Sequence, residues 1–183
     1  MSLSPLSRGV MVDNAALRIT VDPAPGRLSL RAREAAIPAL EKALGLTLPA
    51  DIAARTEEAG LEAAKLGPDE WVLLGDAARV AEAIAACAAV EAPHSLVDIS
   101  GREDVLRIEG PAAPELLAFG CPRDIDQVGE GTCRRTLFDG ATVTLWRDGP
   151  EAFRMDIWRS FAPHLAHLMK DAAKELAAEA AAA

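Results

Sequence analysis

The sequence predicts an α+β fold made of a duplicated unit, and three observations predict it. Residues 28–44 (LSLRAREAAIPALEKAL) and 106–120 (LRIEGPAAPELLAFG) run through the same order of strand, polar break and helix. Gly67-Pro68-Asp69-Glu70-Trp71 and Gly149-Pro150-Glu151-Ala152-Phe153 each open a strand. Both echoes recur at an offset of about 80 residues, the mark of an internal duplication rather than a short-period solenoid. Asp139-Gly140 separates two alternating apolar runs, which is the signature of a tight antiparallel hairpin.

The elements follow in order. Residues 1–25 read as a lead, partly ordered, in which Leu17–Val21 alternates as a strand before Asp22-Pro23-Ala24-Pro25-Gly26 breaks it. The first subdomain spans 26–93. Leu28 and Leu30 share one strand face. Ile37, Leu40 and Leu44 form one helix stripe that Gly45 caps, with Pro38 tolerated in the first turn. Residues 57–66 fit strand or helix. Trp71–Leu74 is a short buried strand, and Asp76 caps a helix whose Val80, Ile84 and Cys87 share a face. The second subdomain spans 94–176. It has strands at 95–100 and 105–108, a helix opened by Gly110-Pro111, the hairpin at 133–147, and a strand at 153–157. Ser160 caps a last helix carrying Phe161, Leu165, Leu168 and Leu176, and the alanine-rich tail, 177–183, frays. Antiparallel strands with helices on one face make two ferredoxin-like α+β subdomains, not a doubly wound sheet.

Composition narrows the function. The chain has 183 residues, half of them hydrophobic, enough for one core or two small ones. Its net charge is −9, from 28 acidic and 19 basic residues. That balance opposes binding to nucleic acid or to an anionic membrane surface, both of which need a basic face. No run reaches the roughly 18 apolar residues of a membrane span, and residues 1–20 do not read as a signal peptide. Cys87, Cys121 and Cys133 are odd in number and widely spaced, which suits a reducing cytoplasm better than a disulfide or zinc scaffold.

Each candidate for chemistry has a plainer reading. Cys121 follows a helix end, where the dipole disfavours a thiolate. His94, Asp98 and Ser100 are triad residue types, but three such groups so close on one strand rarely converge, and no GxSxG elbow exists. Asp124 and Asp126 lack the rest of a calcium loop. His164 and His167 stand at i, i+3 without a third ligand. Neither GxGxxG nor GxxxxGK[ST] occurs. Trp146, Arg147, Trp158 and Arg159 combine the two residue types that dominate protein interfaces, and are the expected subunit-contact residues. No residue is assigned a catalytic, cofactor-binding or metal-binding role.

An ordered set of segments carries a family resemblance. His94-Ser95-Leu96-Val97-Asp98-Ile99-Ser100 precedes Gly120-Cys121-Pro122-Arg123-Asp124-Ile125-Asp126, then Gly131-Thr132-Cys133, Trp146-Arg147 and Arg159-Ser160-Phe161-Ala162. Over roughly residues 60–170 this resembles the gamma subunit of heterotetrameric sarcosine oxidase. The resemblance implies a fold similar to the folate-binding domain of glycine-cleavage T-proteins, in which two α+β subdomains exchange their first strands. It implies a non-catalytic structural subunit in the cytoplasm, with alpha, beta and delta subunits as partners. The complex demethylates sarcosine oxidatively to glycine, forms hydrogen peroxide and passes the one-carbon unit to tetrahydrofolate. FAD, FMN, NAD, tetrahydrofolate and zinc then belong to the partner subunits. Where the T-protein pattern has a histidine after Asp-x-Ser, this chain has Gly101, so the folate site does not carry over. Alternative readings are a stand-alone folate-dependent aminomethyl or one-carbon transferase-like domain, and a ligand-binding regulatory module. An isolated chain with uncovered apolar patches can also pair as a homodimer.

Overall fold

A computed structural model describes residues 6–182. The described chain forms two compact units. One runs from Pro25 to Ser100; the other joins the residues up to Ala24 to those from Gly101 onward.

The chain opens with a hairpin, β1 (Gly9–Asp13) and β2 (Arg18–Asp22). The Pro25–Ser100 unit then carries β3 (Gly26–Ala32), α1 (Ile37–Leu44), β4 (Arg55–Glu58), β5 (Leu61–Gly67), β6 (Glu70–Gly75), α2 (Ala77–Cys87) and β7 (His94–Asp98). Its sheet order is β4-β5-β6-β3-β7, antiparallel throughout. Leaving aside the extra edge strand β4, this is β-α-β-β-α-β with the split crossovers of a ferredoxin-like unit. Leu28, Leu30, Leu61, Ala63 and Leu73 of the sheet pack with Leu40 and Leu44 of α1 and Val80, Ala83 and Cys87 of α2. Each large side chain so buried stabilises by roughly 1.5–3 kcal/mol. Trp71 joins this cluster and donates its indole N–H to the Pro49 carbonyl at 2.9 Å.

The other unit carries β8 (Glu103–Glu109), α3 (Ala113–Ala118), β9 (Thr132–Phe138), β10 (Ala141–Gly149), β11 (Ala152–Trp158) and α4 (Ala162–Ala182). Its order is β1-β2-β8-β11-β10-β9. The order β10-β11-β8-β2 repeats β5-β6-β3-β7, except that the fourth strand is supplied from the N-terminus. The duplication read from the sequence is therefore present strand by strand. Leu106, Ile108, Val143, Leu145, Phe153, Met155 and Ile157 face Leu116 and Leu117 of α3 and Leu165, Met169 and Leu176 of α4.

The units divide differently from the expected subdomains. The expected boundary at Pro93/His94 falls before β7, yet β7 pairs with β3 and completes the first sheet. The strand expected at Leu17–Val21 is present as β2, but it belongs to the second sheet rather than to a lead, paired with β8 from Arg18↔Glu109 to Asp22↔Val105. Both errors concern strands whose partners lie far along the chain. The ambiguous stretch 57–66 is a hairpin. Its turn is Ala59-Gly60, with φ of 49° and 76°, the same backbone that Asp139-Gly140 adopts at 46° and 78°. Alanine in that conformation hides the turn signal. On α2, Ala83 and not Ile84 faces the core; Ile84 is exposed. The third helix begins after Ala112, with Pro114 in its first turn, and Gly110 before it takes φ 121°. Phe161 precedes α4 rather than joining its stripe, and α4 continues helical through Ala182 where the sequence predicts fraying.

Candidate subunit interface

The four expected contact residues do not share a surface. Trp146 lies on the β10 face opposite the helices and is fully buried, so its side chain has no outward face to offer. Its indole donates to Asp156 Oδ2 at 2.7 Å, and the Arg154 guanidinium lies over its ring at 4.8 Å. Asp148 in turn holds Arg154 through two bonds of 2.6 and 2.9 Å. Arg147 is also committed internally. It donates to the carbonyls of Ile125, Val128, Gly149 and Pro150, tying the loop after α3 to the β10–β11 turn. Both residues are structural, and the sequence pattern of Trp beside Arg could not separate them from surface anchors.

Trp158 and Arg159 behave otherwise. They close the β8–β11 ladder, where Trp158 is the register partner of Glu103 and Arg159 N–H donates to the Arg102 carbonyl at 3.1 Å. Trp158 remains 42% exposed and Phe161, in the same turn, 41%. The Arg102 guanidinium sits over the Trp158 ring at 5.5 Å. Arg102 is fixed by Glu103, whose Oε1 accepts from its Nε at 3.2 Å and its Nη2 at 3.0 Å. Arg159 Nε approaches Asp104 Oδ1 at 3.5 Å without a formed hydrogen bond, and Asp104 Oδ2 has no partner among the described residues. Glu103 and Asp104 are each only 4% exposed. Burying two carboxylates costs several kcal/mol unless paired, so an unusual amount of charge is locked behind this one exposed tryptophan. Sequence reasoning missed Arg102, Glu103 and Asp104. The signal available was three charged residues in a row, Arg102-Glu103-Asp104, entering a strand whose apolar Val105, Leu106 and Ile108 follow directly.

The candidates for chemistry close on themselves. His94 Nδ1 meets the Ala92 carbonyl at 2.8 Å. Asp98 Oδ1 accepts from Ser100 N–H at 2.9 Å and Oγ at 2.6 Å, while Ser100 Oγ accepts from Arg27 N–H at 2.8 Å. The Ser100 hydroxyl and amide hold the Asp98 carboxyl below the usual carboxylate range. This is an Asx-type turn anchoring the end of β7, and His94 is not part of it. Cys121 is buried with its sulfur 3.7 Å from Thr136 Oγ1. Burial pushes the Cys87 thiol up, away from the reactive thiolate. Asp124 caps the turn at 125–127 through Asp126 N–H at 3.1 Å. His164 pairs with Asp139 at 2.6 Å and His167 with Asp171 at 3.4 Å, so the two histidines do not converge. Among the described residues no group of three His, Cys, Asp or Glu side chains could hold a metal ion, and no helix is long and apolar enough to cross a membrane. A groove of about 580 Å³ beside Arg31, Arg33 and His94 is lined also by four alanines and Pro93, and its Arg31 is already paired with Asp69 at 3.3 Å and Glu70 at 3.1 Å.

Comparison with known proteins places these features. The profile described as "Sarcosine oxidase, gamma subunit family" matches residues 30–175. The sarcosine oxidase subunit gamma of Corynebacterium sp. (strain P-1) is 32% identical over 146 residues, covering 77% of this chain and 71% of that protein. The Arthrobacter sp. subunit gamma is 32% identical over 145 residues, covering 76% and 70%. Among solved structures, heterotetrameric sarcosine oxidase from Corynebacterium sp. U-96, in complex with pyrrole 2-carboxylate, contains a chain that superposes with a TM-score of 0.81 at 29% identity. The match covers 91% of this chain and 88% of that one. The glycine cleavage system aminomethyltransferase T of Bartonella henselae superposes with a TM-score of 0.60 at 17% identity, over 80% of this chain and 43% of that one, and shares the fold.

Proposed function

This chain belongs to the sarcosine oxidase gamma subunit family, and from that membership we propose that it is the structural, non-catalytic gamma component of a heterotetrameric sarcosine oxidase. Its partners are the alpha, beta and delta subunits. The assembled enzyme carries out the oxidative demethylation of sarcosine to glycine, with hydrogen peroxide as co-product and tetrahydrofolate as one-carbon acceptor. FAD, FMN, NAD, folate and zinc reside on the partners in this reading. The zinc does not fit here: Cys87, Cys121 and Cys133 are buried and widely separated in the sequence, and among the described residues no group of three His, Cys, Asp or Glu side chains could hold a metal ion. The folate-type chemistry does not fit either, because the Asp98 carboxylate is spent on Ser100 and Gly101 follows it. Three thiols without a disulfide suit a cytoplasmic, reducing setting. Trp158 and Arg159 are the contact residues retained from the expected four.

The observation that carries this reading is the superposition with a chain of heterotetrameric sarcosine oxidase over nearly the full length of both. Its test is enzymatic. The purified chain alone is expected to be colourless, to consume no oxygen with sarcosine and to show no tetrahydrofolate binding by calorimetry. Sarcosine-dependent oxygen uptake by the lone chain overturns the structural role, and folate binding in its own pocket favours the transferase reading.

A further inference from the structure

Resting on that reading, we infer that the end of the β8–β11 ladder is the docking surface, and that it takes a partner-subunit segment in which an acidic side chain stands beside an apolar one. The acceptors and donors at this place are sorted by depth. The carboxylates of Glu103 and Asp104 lie inside, while the arginines beside them reach the surface, with side chains 44% and 25% exposed for Arg102 and Arg159. Arg102 uses Nε and Nη2 on Glu103, leaving Nη1. Arg159 turns its inaccessible Nε toward Asp104, and its two Nη groups bond to no described residue. What faces outward is therefore guanidinium N–H around an exposed indole, with Phe161 in the same turn. Acceptors and apolar surface complement it, and a carboxylate satisfies a guanidinium edge best.

The arrangement is also rigid before any partner arrives. The buried Glu103 carboxylate pins Arg102, and the Arg102 guanidinium covers one side of Trp158. Preorganised Trp and Arg side chains lose little freedom on docking and so make strong anchors. Asp104 and Arg159 Nε stand at ion-pair distance but outside hydrogen-bond geometry. A partner carboxylate on the outer edge of Arg159 would fix the guanidinium from both sides.

The chain contains three tryptophans, of which Trp71 and Trp146 are buried. Labelled with 5-fluorotryptophan and mixed with unlabelled alpha, beta and delta subunits, the full chain is expected to show one shifted fluorine resonance, that of Trp158, assigned with W158F. The resonances of Trp71 and Trp146 report in the same spectrum whether each variant is folded. W158A is expected to weaken assembly about 30-fold or more. R159M is expected to weaken it about 10-fold and to reduce the salt dependence of the affinity. F119A removes a still more exposed aromatic elsewhere, at the end of α3, and should leave affinity unchanged. Failure of the wild-type chain to assemble overturns the gamma-subunit reading itself. Normal assembly with an unmoved Trp158 resonance and wild-type affinity in W158A overturns the surface alone. An R159M defect that is equal at low and high salt overturns the acidic partner.

Discussion

Two tryptophans of this chain, alike in sequence context, have opposite fates. Trp146 and Trp158 each precede an arginine, yet one is sealed under Arg154 and bonded to Asp156 while the other remains at the surface. Removing the indole N–H by Trp146→Phe takes that donor from the buried Asp156 carboxylate, and should cost about 1–3 kcal/mol in urea unfolding. Ser100→Ala removes one of the bonds that lower the Asp98 carboxyl, so a carboxyl ¹³C titration should show that group titrating at higher pH than in the wild type. The sign is fixed by linkage. A carboxyl held lower in the folded than in the unfolded chain adds stability that is present above the unfolded value and is lost as pH falls through the folded one. The variant should lose less stability on acidification than the wild type. At this scale the sequence is least legible. Alternation puts Trp146 on one sheet face, but does not say whether that face is covered, and the arginine beside it carries no sign of the four carbonyls it binds.

Local signals place most of the strands and helices well. Asp139-Gly140, Asp76 and Gly45 each do what their chemistry predicts: a two-residue turn, an N-cap whose carboxylate accepts from Arg79 N–H, and a C-cap in the left-handed region. Gly110 reads in the sequence only as a helix start, but its conformation and surroundings demand glycine. A Cβ there would lie 2.6 Å from the Ala16 carbonyl oxygen, and φ is 121°. Gly110→Ala should therefore destabilise by about 2–4 kcal/mol, read as a lower midpoint in thermal or urea unfolding. What local pattern could not reveal is pairing. β2 finds β8 across nearly half the chain, held also by Arg107 to Asp22 at 2.8 Å, and β7 returns to β3. Each strand reads as a short alternating run, and nothing in such a run names its partner.

For the whole molecule, the duplication is visible as recurrent segments while its units are not, because a repeat in sequence need not be cut where the repeat begins. Residues 25–100 hold a complete five-stranded sheet with both its helices. That fragment should give a dispersed amide spectrum, whereas residues 26–93, lacking β7, should expose β3 as an open edge and aggregate. The other unit needs its N-terminal hairpin. In the role proposed above, this body serves by being bound. The acidic balance, the inward-bonded His94 and Asp98, and the Trp158 corner under Arg102 are the features on which that proposed role rests. Co-expression of the chain with alpha, beta and delta subunits, followed by size-exclusion chromatography with flavin absorbance and sarcosine oxidation followed across the fractions, tests this most directly. The chain is expected to elute within the flavin-bearing peak, with oxidation confined to that peak; elution of the chain apart from the flavin, or oxidation in fractions holding it alone, would contradict the proposed role.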